Sequence, residues 1–180
     1  MDNRVTTFNC YALGNVTGNA ENNNKVHIGG FAGQAGGIHY NCYAKGDVIS
    51  LKTTTDVGAI SGRSAGIAAD LNCYYNSEAV VKQGNTVYSP AKAVGVNANN
   101  SALIKNVVGK TAAELASEDF ASLLNENLSS ENLAAADSEF AAFLEGVNSR
   151  VFTEVNYYTG NVLLGWVLDN GVVTFSEKDE

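Results

Sequence analysis

Two strings in this chain have the form of catalytic motifs. Gly62-Arg-Ser64-Ala-Gly66 fits the GxSxG pattern in which a serine is held on a strained strand-to-helix elbow. That chemistry needs a strand before the serine, a helix after it, and an acid and then a histidine further along the chain. Here the residues after Gly66 read as strand, and both histidines, His27 and His39, come before Ser64. A phrase like this one recurs earlier in the chain with Ala35 in the serine's place, so Ser64 reads as a turn residue of a β-coil. Gly109-Lys-Thr111 has the closing residues of a phosphate-binding loop. The full pattern requires a glycine five residues earlier, where Ile104 stands, and without it the backbone amides cannot curl around a phosphate. A helix start after a glycine turn explains the string.

Carboxylates are the other chemistry to weigh. A β-helical polysaccharide-cleaving enzyme needs two or three of them clustered on one face. Asp47 and Glu78 stand on separate repeats with Asn15 in the same ladder, and Asp56 and Asp70 fall near turns. That is too sparse for an acid–base pair, so the chain is expected to be non-enzymatic and to need no cofactor. Calcium-loop patterns are absent, and no Cys/His grouping has metal-ligand spacing.

The residues that recur are different. Asn-Cys-Tyr triplets begin at Asn9, Asn41 and Asn72, a period of about 31 residues. Around the second triplet, Ile38, Tyr40, Cys42, Ala44, Gly46 and Val48 alternate with His39, Asn41, Tyr43, Lys45 and Asp47. A period of two marks a strand with one buried and one wet face. Stacking such strands in parallel about 4.8 Å apart puts identical positions in columns. On this reading Asn9, Asn41 and Asn72, with Tyr11, Tyr43 and Tyr74, form two outward columns, a candidate face for a glycan or a host protein. Cys10, Cys42 and Cys73 form an inward column of reduced thiols.

The elements that position these columns follow from the repeat. Ile28-Gly-Gly-Phe-Ala-Gly33 and Val57-Gly-Ala-Ile-Ser-Gly62 form a second recurring phrase. Several short strands per repeat with glycine corners describe a short parallel β-solenoid, assigned to residues 1–108. The pattern is strongest to about residue 80 and decays into a last irregular coil. Residues 109–180 read as a helical cap followed by strands. Thr111-Ala-Ala-Glu114 has the form of a capping box, and Ser117-Glu-Asp-Phe120 offers a second start. Leu115, Phe120, Leu123, Leu124 and Leu128 make one helical stripe, and a further helix is expected over Glu131–Glu145. Strands are expected at Val151–Tyr158 and Val162–Leu168, then a turn at Asp169-Asn-Gly171 into Val172–Phe175, a terminal hairpin. Trp166 is expected in a core. The fold class is therefore mainly β, with a helical segment and a hairpin after the solenoid.

Composition narrows the partners. Over 180 residues the formal net charge is −8, which disfavours nucleic acid and anionic membranes. No apolar run approaches the roughly 20 residues of a spanning helix. Eighteen glycines against one proline suit tight turns. Asp2-Asn3-Arg4 follows Met1 with no leader pattern, which fits a cytosolic protein or a piece of a longer secreted chain. Met1–Val5 supplies no cap, so the N-terminal edge is expected to be an interface.

The two recurring phrases resemble the GLUG-repeat family of bacterial surface and secreted proteins, including segments of IgA-peptidase-like proteins. Ile28-Gly-Gly-Phe-Ala-Gly33 and Ile38…Asn41-Cys-Tyr-Ala-Lys-Gly46…Val48 carry the likeness. Gly109-Lys-Thr-Ala-Ala-Glu-Leu115 is similar to what often follows the last such repeat. The resemblance spans roughly residues 5–126; it departs after Tyr75 and in the helical stretch Ser129–Gly146. It implies a cell-surface or extracellular setting within a longer chain, with neighbouring repeats as partners. It implies a structural or display role, adhesin-like, or a part as accessory segment of a secreted peptidase. It brings no catalytic residue.

Overall fold

The computed structural model describes residues 6–19, 26–66, 68–143 and 164–177. The chain forms two compact units, Met1–Ala112 and Ala113–Glu180. The first is a parallel β-solenoid of about three turns. Its first coil contributes β1 (Thr6–Phe8), β2 (Tyr11–Ala12) and β3 (Val16–Gly18). The second is complete, with β4 (His27–Gly29), β5 (Ala32–Ala35), β6 (Ile38–Tyr40), β7 (Tyr43–Ala44) and β8 (Val48–Ser50). The third has β9 (Asp56–Gly58), β10 (Ser61–Ser64), β11 (Ala69–Asn76) and β12 (Val81–Gln83). A fourth, partial coil adds β13 (Thr86–Tyr88), β14 (Val94–Asn97) and β15 (Leu103–Lys110).

Register is conserved from coil to coil. Val16, Val48 and Val81 stack in β3, β8 and β12. Tyr11, Tyr43, Tyr74 and Val108 stack through β2, β7, β11 and β15. All these pairings are parallel; the exception in this unit is β13, which turns back antiparallel onto β12. The fourth coil is as regular as the others along β15, where Cys73 pairs Val107 and Leu71 pairs Lys105. The decay read from the sequence after residue 80 is thus a loss of residue identity without a loss of backbone register.

Ile28, Val48, Val57, Ala59, Val81 and Ala91 make one core cluster inside the coil. Cys42, Ala44, Ile60 and Cys73 make a second, with Cys10 and Val107 against it. Strands β5 and β10 run so close to β4 that glycine is required between them. A Cβ on Gly62 would lie 2.3 Å from the amide nitrogen of Ile28, and one on Gly29 would lie 2.1 Å from the Ala32 carbonyl oxygen. The glycines of the two recurring phrases therefore serve close packing as well as corners.

In the second unit, α1 (Glu118–Glu126) and α2 (Ser130–Phe143) precede a hairpin of β16 (Leu164–Asp169) and β17 (Val172–Glu177). The expected capping box at Thr111 does not open a helix. Glu114–Ala116 form one 3-10 turn, and Ser117 then takes extended angles (φ −124°, ψ 153°) and caps α1 by accepting from the Phe120 amide. Phe120 and Leu124 of the expected stripe are buried, as are Ala136 and Phe140 of α2. Trp166 is buried, edge-on to Phe175 with ring centroids 5.4 Å apart. Asn125 ties α1 to β16: its Nδ2 donates to the Trp166 carbonyl and its Oδ1 accepts from the Trp166 amide, both at 2.8 Å. Asn170 and Gly171 take positive φ (48° and 79°) in the hairpin turn, the conformation that Asn-Gly favours. The strands expected at Val151–Tyr158 and at the start of Val162–Leu168 fall largely outside the described residues.

The thiol column yields a prediction. Cys42 and Cys73 are buried, and all three cysteines are free. Burial, with Cys42 beside it, pushes the Cys73 thiol well above its ordinary 9.0, and burial also raises Cys10. Burial likewise pushes the Tyr40 hydroxyl from 10.0 up to about 12. The folded chain keeps these protons where the unfolded chain releases them, so stability falls as pH rises above 9.0. Urea unfolding at increasing pH should show that decline, and Cys73→Val should flatten it at a cost below about 1.5 kcal/mol. Thiol labelling of the native protein should be slow at Cys42 and Cys73 and fast on unfolding.

Candidate functional site

Asn9 and Asn41 fall between strands, whereas Asn72 and Asn106 lie inside β11 and β15. Asn9, Asn41, Asn72 and Asn106 all take left-handed backbone angles, with φ of 52°, 57°, 49° and 53°. At each the backbone leaves strand geometry for one residue, and asparagine tolerates that conformation better than other residues with a Cβ. A left-handed residue breaks the two-residue alternation, so parity on one side of the corner does not predict the face on the other.

This corrects the expected outward columns. Asn9 and Asn41 are buried and Asn72 is partly so. Tyr43 and Tyr74 are buried too, leaving Tyr11 as the one exposed ring of the three. Tyr11 and Tyr43 stack with centroids 5.6 Å apart and planes within 14°. Burial raises the Tyr43 hydroxyl pKa above the usual phenol range, Tyr11 beside it adding to the shift. The six residues are brought together as a ladder that is mostly internal, with Tyr11 exposed at one end and Asn72 half-buried.

The amides bond along the stack. Asn41 Nδ2 donates to Asn9 Oδ1 at 2.7 Å, and Asn106 Nδ2 donates to Asn72 Oδ1 at 2.9 Å. Asn72 Nδ2 donates to the Tyr40 hydroxyl at 3.2 Å. Backbone bonds run beside them, Tyr43 N to Cys10 O and Tyr74 N to Cys42 O. Asn106 was not singled out from the sequence, because Val107 and Val108 replace the cysteine and tyrosine that mark the triplet. Its 34-residue distance from Asn72 was the available signal.

The candidate carboxylates are also spent between coils. Asp47 donates its amide to Asn15 Oδ1 at 2.9 Å and accepts from the Val80 amide at 2.8 Å. Glu78 lies outside that ladder and accepts from the Ala112 amide at 2.9 Å.

A second polar group emerges that sequence reasoning did not assemble. His39, expected on the wet face, is buried, and its Nδ1 lies 2.7 Å from Asp70 Oδ1. Asp70 Oδ2 accepts from Ser64 Oγ at 2.9 Å, with Ser61 Oγ 2.9 Å from Ser64 Oγ. Ser64 lies in β10 rather than on a turn, in register with Ala35 of the coil before. In a hydrolytic triad the histidine bridges serine and acid, ready to take the serine's proton. Here the acid bridges serine and histidine, so the serine proton points at a carboxylate that is already engaged. The group acts as a clamp, joining β6 of coil two to β10 and β11 of coil three. His27 and Asp56, in register on β4 and β9, repeat the pairing: Nδ1 and Oδ2 are 3.0 Å apart, without hydrogen-bond alignment. Arg63 Nη1 lies 3.5 Å from His27 Nε2. Among the described residues no three of His, Cys, Asp and Glu converge as metal donors.

Two substitutions test these assignments. Asn41→Ala should cost about 2–3 kcal/mol, combining the left-handed backbone penalty with a lost hydrogen bond. Asn41→Gly should cost nearer 1 kcal/mol, since glycine accepts the backbone angle. Equal costs would remove the corner's conformational role. His39→Ala leaves Asp70 buried without its ring partner and should cost on the order of 3–5 kcal/mol in urea unfolding; a loss below about 1 kcal/mol would show that the clamp contributes little.

A family model described as the GLUG motif matches residues 26–49. The matched residues cover β4 to β7 and most of β8, which is one full coil. The chain carries a GLUG-motif repeat segment. No curated protein and no solved structure matches it.

Proposed function

We propose that this chain is a non-catalytic repeat module of a longer protein, serving as a structural or display segment of a bacterial cell-surface or secreted chain. One observation carries the reading: the residues that recur most faithfully are consumed by the stack. The asparagine amides and two of the three column tyrosines bond or pack between coils, and the non-repeating His39–Asp70 pair does so as well. Such residues support a role in adding coil to coil, and the GLUG-motif match points the same way. Neighbouring repeats or domains are then the partners, and the charge of −8 weighs against nucleic acid. As an accessory segment of a secreted peptidase, the module would supply spacing and no chemistry.

The test compares folding with binding. Replacing Tyr11, Tyr43 and Tyr74 together by alanine should destabilise or unfold the chain, because a buried aromatic truncated to alanine costs about 3–5 kcal/mol. The wild type should bind nothing on glycan and host-protein arrays. An array ligand lost on Tyr11→Ala alone, with circular dichroism and unfolding unchanged, would replace the structural role with a binding one.

A further inference from the structure

Charge is divided unevenly along this chain. Met1–Ala112 carries nine Lys and Arg against six Asp and Glu, whereas Ala113–Glu180 carries two against thirteen. The net −8 therefore combines a mildly basic solenoid with a strongly acidic second unit. One face of the solenoid collects lysines and exposed apolar side chains. No residue of β8, β12 or β13 takes positive φ, so alternation holds within each strand. Val48 and Val81 belong to the core, which turns Ile49 and Lys82 outward, in register with each other. Val87 stands opposite Lys82 across the antiparallel pair and shares its side. Leu51 and Val80 extend the two strands with the same parity. Leu51, Val80 and Val87 are 56%, 39% and 55% exposed. Lys82 stands among them, and Lys52 follows Leu51 in an exposed turn. Neither ammonium group forms an ion pair among the described residues. Asp47, level with Val80, already accepts from the Val80 amide.

We propose that this face is a docking surface for the acidic helix α1 of a second copy of the chain. Glu118, Asp119, Ser122 and Glu126 are exposed on α1, and Glu118, Ser122 and Glu126, four residues apart, share one stripe. None of the three carboxylates forms an ion pair among the described residues. Glu118 and Glu126 stand two turns apart, about 12 Å. Lys82 is level with Ile49, three residues before Lys52, which separates the two lysines by on the order of 10 Å. A helix laid along the strands sets one carboxylate near each ammonium, with Ile49 and Leu51 between. Charge complementarity selects this occupant. Nucleic acid offers negative charge too, but it is repelled by the thirteen carboxylates carried on the same chain. Two copies of −8 repel at long range, so attraction acts only at contact and the association is weak. The inference does not rest on the stacking role proposed above.

Sedimentation velocity on the 180-residue chain, at about 0.1 M salt and up to about 1 mM protein, tests it. The wild type should form dimers or longer species. Lys82→Glu should weaken that association at least about tenfold, with circular dichroism unchanged. Lys52→Glu, on an exposed turn, gives the same reading without entering a strand. The double variant Glu118→Gln, Glu126→Lys should weaken association to the same degree from the other side. Mixed with the Lys82→Glu chain, it supplies an intact face to an intact stripe, so the mixture should associate where neither variant does alone. Lys105→Glu makes the same change in net charge on β15, away from this face, and should associate like the wild type. Val87→Thr keeps the shape, adds a hydroxyl and leaves every charge in place, and it should weaken association as well. A monomeric wild type would overturn the proposal, as would lysine variants that associate normally or a mixture that stays monomeric. Equal loss on Lys105→Glu would do so too, since net charge and not this face would then govern association. None of these outcomes touches the Asn41 comparison, on which the stacking role stands or falls separately.

Discussion

The structure depends on one backbone constraint: an asparagine held at positive φ at the same place in every coil. Non-glycine residues enter that region at a cost, and asparagine enters it with less cost than most. Placing four of them in register fixes where each coil turns. The same residue then spends its side-chain amide on the coil next to it, so the corner and the stack are specified together. Glycine would make the corner but not the bond. Most other side chains would do neither well.

Parallel register explains the rest of the chemistry. Once identical positions stack, whatever the repeat carries is multiplied into a column: valines inside, thiols against Ile60, tyrosine on tyrosine. Polar residues become tolerable in the interior when the neighbouring coil supplies the partner, as Asp70 does for His39. A motif with hydrolase form can therefore be structural. Ser64 sits beside an acid and a histidine, yet the acid occupies the middle, and the arrangement joins coils instead of activating an oxygen. The proposed role as a spacer or display module draws on this economy, in which the repeated polar groups face one another.

The period of the Asn-Cys-Tyr triplet made the coils legible, and the Asn170-Gly171 turn made the hairpin legible. Both signals are local and short-ranged in physical origin. Three features were not readable. The outward columns were inferred by carrying alternation through Asn41, where the backbone reverses hand, so Tyr43 was placed on the wrong side of burial. The fourth coil kept its backbone register but exchanged cysteine and tyrosine for Val107 and Val108, since a thiol and an aliphatic side chain fill the same inward position. The clamp joins residues 31 apart whose partnership exists only once the coils stack. At Thr111 a capping pattern went unused because the extended backbone of Ser117 restarts the helix later.

The account's central claim is that stability is built coil on coil through these ladders. Native-state hydrogen exchange reads it most directly, because a stack of repeats opens from its ends. The amides of Tyr43 and Tyr74, donated to the Cys10 and Cys42 carbonyls, should grade from the first coil inward, Tyr74 exchanging more slowly than Tyr43. Asn9 and Val16, on the first coil, should exchange faster than both. Uniform protection across all four amides, or slowest exchange in the first coil, would contradict it.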